Sequence, residues 1–168
     1  MDDKLKAELS SLFDKDHERA SAVEKARSEK ASKEAQLVAE FIRICTDIIE
    51  PAMREIGDFA RTRGWDYRIV SKEERSEPNG RLDPAEIRID FFRSGEIPRP
   101  AHEQASFSVI CDKQDGAAQF HESTMGPGHG GSRGTTGKEK LEKIATGLIQ
   151  SKMVKYLGKL LVDAKPRS

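Results

Sequence analysis

The chain reads as an α+β protein: a long N-terminal helix, a four-stranded antiparallel meander covered on one face by helices, and a C-terminal helix. Three observations carry that expectation. A half-apolar pattern at 100° per residue runs from Leu37 to Ala60. Four short segments between Trp65 and His121 alternate apolar and polar residues. A second apolar helical pattern closes the chain.

Residues 2 to 35 carry dense charges of alternating sign and many alanines, with no Gly or Pro. Such residues are good helix formers, and Asp2/Lys6 and Glu29/Lys33 have the i, i+4 spacing that supports a helix. Leu5, Leu9 and Leu12, with Phe13 beside them, make a short apolar seam that Asp16, Arg19 and Lys30 then interrupt. A helix this polar cannot bury much of itself. Residues 1–35 are expected to form a charged helical arm or a weak coiled coil, and residues 36–168 an α-β4-α domain. A frayed arm is the alternative.

In the next helix Phe41, Ile42, Ile44, Cys45, Ile48, Ile49, Ala52, Met53, Ile56, Phe59 and Ala60 share one half of the circumference. Glu40, Arg43, Asp47, Glu50, Arg54 and Arg61 share the other. Pro51 interrupts this pattern without shifting it, so a kink with the same face buried is expected. Gly64 is the expected stop.

Trp65/Tyr67/Ile69, Ile87/Ile89/Phe91, Phe107/Val109/Cys111 and Ala118/Phe120 alternate with polar neighbours, which predicts one covered and one wet sheet face. Asp115-Gly116 predicts a hairpin that sets Val109 opposite Phe120 and His121 near Ser108. The last helix is placed from Lys138 to Asp163, with Thr136 and Glu139 as a capping box. Its apolar stripe turns between Leu141–Ile149 and Met153–Leu161. A bend near Gly147–Ser151, or a second surface met by Val154, Leu157 and Leu161, would account for that.

Composition bounds the partners. The chain has 168 residues, 36% hydrophobic and 35% charged, enough for one domain or one small domain with an extension. Lys+Arg and Asp+Glu are both 29, so an electrostatic partner must be held by a local patch. The N-terminus lacks the apolar core of a signal peptide, and no run reaches the roughly 20 apolar residues of a membrane span. A cytoplasmic protein without membrane association is expected. Cys45 and Cys111 sit in apolar runs and read as buried small hydrophobes, not as a disulfide or a metal pair.

Local chemistry is sparse. The segment Gly126–Lys140 is glycine-rich, follows a strand and opens the assigned helix, a setting in which backbone N–H groups cradle anions. It fails as a nucleotide-hydrolase phosphate loop, since Ser132 stands where a glycine is required and Glu139 where Ser or Thr binds magnesium. A looser anion site of His129, Arg133 and Lys138 stands beside the simpler reading of Gly126–Gly137 as a mobile linker. The four histidines, at 17, 102, 121 and 129, lack metal-ligand spacing. Asp66, Glu86 and Asp90 are matched by Arg68, Arg88 and Arg93, as expected of charge pairs on a solvated face. From Lys138 to Ser168, eight basic residues face three acidic ones, without the aromatics of a single-strand binder.

No catalytic residue, metal or cofactor is expected. The leading functional expectation is a non-enzymatic interaction or assembly protein, self-associating or meeting a protein partner. Its contact residues would be Leu5, Leu9, Leu12, Val154, Leu157 and Leu161. A ligand-binding protein built on the Gly126–Lys138 loop, conceivably an enzyme, is the second expectation. Weak nucleic-acid binding by the C-terminal lysines is the third.

Overall fold

The computed structural model describes residues 1–165. It is α+β and divides into two units, residues 1–36 and the chain from Leu37 onward. In the first unit every residue from 1 to 33 is exposed, and all but the first two are helical. Ion pairs such as Lys6–Asp3 at 3.8 Å and Arg27–Glu24 at 4.0 Å are exposed. Intrinsic helix propensity is therefore the principal local force there.

Helix α1 is Asp3–Ile44, and α2 is Glu50–Arg61. Between them Cys45–Ile49 forms a π turn in which the Glu50 N–H donates to the Cys45 carbonyl, five residues back. The wider turn ends just before Pro51, which cannot donate to the preceding turn, so the widening falls where the helical ladder is interrupted anyway. Phe41, Ile44, Ile49, Ala52 and Met53 are buried along one face. Ile42 and Phe59, expected on that face, are instead exposed. Gly57 is buried, and a Cβ there would stand 2.5 Å from the Tyr67 ring, so glycine lets the strand reach α2. Gly64, with φ +85°, ends the helical segment as its position predicted.

The main sheet has five strands, not four: β1 (Trp65–Lys72), β4 (Glu86–Arg93), β5 (Ala105–Asp112), β6 (Ala117–Ser123) and β7 (Arg133–Lys140). They are antiparallel neighbours in chain order. A two-stranded ribbon, β2 (Arg75–Ser76) with β3 (Leu82–Asp83), fills the loop after β1. Val109 stands opposite Phe120 and Ser108 opposite His121, the expected register.

The sequence assignment failed at β7. Residues 133–140 pair with β6 across a bulge at Phe120/His121, so the stretch assigned to a linker and a first helical turn is extended. Thr136 and Glu139 cap nothing. Helix α3 begins at Thr146 after an uncapped, extended Ala145 and runs to Asp163. Leu141 and Ile144, buried ahead of it, belong to a short 3-10 turn and its end. The turn of the apolar stripe thus reflects a late helix start.

Within α3, Ile149, Met153, Tyr156 and Leu160 form one regular buried stripe. It packs with α2 on the sheet face made by Ile87, Ile89, Phe91, Phe107, Val109 and Phe120. Tyr156 is central: its ring lies 6.1 Å from Phe91 and 5.9 Å from Phe107, and its hydroxyl donates to the Ser123 carbonyl at 2.9 Å. Burying each such side chain stabilises by about 1.5–3 kcal/mol.

Candidate functional site

The elements leave two surfaces of interest in the second unit. The first is the sheet face away from the helices. Asp90 is 0% exposed there, with Arg68 Nε at 2.8 Å and Arg88 Nε at 2.7 Å. Beside it in register stand Ser106, Ser108, His121 and Ser123. The face was expected to be solvated, but Arg88, Ser106, Ser108 and Ser123 are all buried, and the Ser123 hydroxyl lacks a hydrogen-bond partner. Asp66 pairs with Arg61 of α2 at 2.8 Å, and the Arg93 guanidinium lies 4.4 Å from the Trp65 ring centroid.

The second surface is an open, mainly apolar groove of about 610 Å³ between α2 and the second half of α3. Ile56, Phe59 and Ala60 form one wall, and Val154, Leu157 and Leu161 form the other. Phe59 is 63% exposed, Val154 60% and Leu161 48%. Val154, Leu157 and Leu161, at i, i+3, i+7, make a second stripe beside the buried one, so α3 is apolar on two adjoining faces. Gly158 also lines the groove, and a Cβ added there would touch nothing within 4 Å. Arg63 and Arg93 border the groove, and the Arg63 guanidinium lies 5.5 Å from the Phe59 ring.

The three groups of the expected anion site are not brought together. Lys138 lies on β7 with its Nζ 2.6 Å from Asp112 and 2.7 Å from Asp115. Hydrogen bonding to Lys138 holds the Asp112 carboxyl below its ordinary value, and the two carboxylates raise that of Lys138. Arg133, five residues away, donates to the His102 carbonyl. That spacing is roughly 16 Å along a strand. His129 is half-buried in the turn before β7, its Nδ1 3.1 Å from the Gly130 carbonyl. No α-helix begins in this segment, which runs as β7 into the 3-10 turn Leu141–Lys143.

The basic C-terminal residues are likewise dispersed. Lys159 pairs with Glu122 at 2.9 Å, Lys140 donates to the Asp115 carbonyl, and Lys152 lies over the Phe120 ring at 4.4 Å. Arg167 lies outside the described residues. Burial pushes the Cys45 thiol up to about 12 and the Cys111 thiol up to about 11, so both are protonated and poorly nucleophilic near neutrality. Among the described residues no group of three or more His, Cys, Asp or Glu could hold a metal ion, and no helix is long and apolar enough to cross a membrane.

Leu5, Leu9 and Leu12 are exposed on α1 in the first unit, with Phe13 beside them. Val154, Leu157 and Leu161, named from the sequence as contact residues, line the groove, and so does Phe59, which sequence reasoning assigned to the core. That reasoning also passed over Gly158, whose presence inside an apolar helix was the available signal. Compared with known proteins, the chain matches no protein family, no curated protein and no solved structure.

Proposed function

We propose that this chain is a non-enzymatic assembly protein that self-associates by docking an apolar helical segment in the α2/α3 groove. One observation carries the reading: Val154, Leu157 and Leu161 stand with Phe59 around a concavity that no described side chain fills. Large exposed apolar patches on a folded domain mark contact sites, because leaving them in water forfeits about 25 cal/mol per Å². Gly158 supports it further. Glycine inside a helix costs up to about 1 kcal/mol relative to alanine, and here it leaves the groove open without relieving any clash.

The ligand-binding and nucleic-acid readings have no comparable support. Lys138 is held by two carboxylates, and several of the C-terminal lysines are engaged locally.

The test is the mass in solution of Phe59→Glu/Val154→Glu, read by light scattering after gel filtration. Both side chains are exposed, so the fold is retained. The reading predicts a wild-type oligomer and a folded, monomeric variant. A folded variant with the wild-type mass would defeat it.

A further inference from the structure

Resting on that reading, we propose that the segment occupying the groove is the N-terminal seam of a second copy, residues 2–16 at the start of α1, so that assembly is head-to-tail. Shape and charge both point there. Leu5, Leu9 and Leu12 present one narrow apolar row, and all three are exposed along the described helix with Phe13 beside them. Asp16 falls on the same face one turn beyond the row, with Arg19 a turn further, and Asp2 stands just before α1, its Oδ1 3.4 Å from the Lys4 backbone N. The helix from Asp3 to Asp16 spans about 20 Å. The seam is thus an apolar strip ended by carboxylates.

The groove is the complement, with apolar walls and two arginines, Arg63 and Arg93, on its border. A groove-to-groove dimer would bring the arginines of both copies together around one apolar contact. A seam-to-seam pair would set aspartates against aspartates when parallel, and would leave both grooves open. Seam in groove buries both apolar surfaces and sets one end of the seam, with its carboxylate, beside Arg63 and Arg93, which stand together next to Trp65. The two surfaces differ, so the contact is heterologous, and successive copies form rings or open chains.

Complementation between full-length variants tests this. Gly158→Leu fills the groove and replaces a helical glycine with a better helix former, so the fold is retained or strengthened. Leu5→Asp/Leu9→Asp breaks the seam at exposed positions. The inference predicts that each variant alone is a monomer by native mass spectrometry. Mixed, they form a 1:1 heterodimer, because one intact seam meets one intact groove. Raising salt from 0.05 to 0.5 M should weaken that heterodimer roughly three- to tenfold.

Other outcomes overturn the inference in distinguishable ways. If Gly158→Leu keeps the wild-type mass, groove docking itself fails, and the seam proposal with it. If the seam variant keeps the wild-type mass while Gly158→Leu loses it, the groove docks something else and only the occupant is refuted. If both are monomers that do not pair when mixed, the two surfaces do not meet.

Discussion

At the residue scale, small distances decide more than composition does. Gly57 touches the Tyr67 ring so closely that a methyl group has nowhere to go. Overpacking of this kind costs about 1–3 kcal/mol, which outweighs the gain of up to about 1 kcal/mol from replacing a helical glycine. Gly57→Ala should therefore lower stability in urea unfolding, and Gly57→Ala/Tyr67→Leu should recover part of the loss.

Lys138 gives a prediction with a pH signature. Its partner Asp112 has a carboxyl held below the ordinary 3.8 by that hydrogen bond. A lowered carboxylate stabilises the fold above its unfolded value, and the contribution is lost as pH falls through the folded value. Lys138→Met should thus melt slightly below wild type at pH 7, a small deficit because the pair is partly exposed. The two melting curves should converge below pH 3.8. A gap that persisted in acid would place the effect in packing instead of charge.

At the scale of elements, what was legible followed periodicity, and what was missed lacked it. The Leu37–Ala60 helix and the first four strands of the main sheet carry large apolar residues at a fixed repeat, so burial imposes one answer. The Asp115-Gly116 turn then set the β5/β6 register. Strand β7, ArgGlyThrThrGlyLysGluLys, has no large apolar residue and two glycines, and as an edge strand it is held by pairing to β6 on one side only. Its lysines and its bulge are devices that protect an edge from further pairing, and they also hide the strand from pattern reading. The one clue was length, since a twelve-residue structureless loop from Gly126 to Gly137 is uncommon in a compact domain. Reading β7 as the opening of a helix supplied the anion site with a helix N-terminus it does not have.

The polar sheet face also belongs at this scale. Alternation revealed that the face was polar, but nothing in a linear pattern shows that Arg68 and Arg88 converge on Asp90 and seal it from water. Asp90→Leu should cost about 3–5 kcal/mol, because it leaves the Arg88 charge buried and unpaired. Asp90→Leu/Arg88→Met should regain most of that in chemical denaturation, since Arg68 is exposed enough to turn to solvent. If the double variant were no more stable than the single one, the pair would be tied into the sheet by contacts beyond their mutual charge.

At the scale of the whole molecule, the second unit closes one core against α2 and α3 yet leaves apolar side chains beside it in water. Val154, Leu157 and Leu161 were read from the sequence in one stripe with Met153, Tyr156 and Leu160, which the structure buries. Their setting was not legible, because the opposite wall comes from α2, about 100 residues earlier, and only tertiary packing brings it near. Phe59 shows the limit most plainly: at 100° per residue it stands 60° from Ile56 but 120° from Met53, at the edge of the buried face, and it is 63% exposed. A residue left out of a core for that reason is free to serve a contact.

The central claim is that this groove mediates self-association. Native mass spectrometry of the gently purified wild-type chain beside Phe59→Glu/Val154→Glu tests it most directly. The account predicts a homo-oligomer without added mass for the wild type and a single-chain mass for the variant. A monomeric wild type, or a variant with an unchanged oligomeric mass, would contradict it.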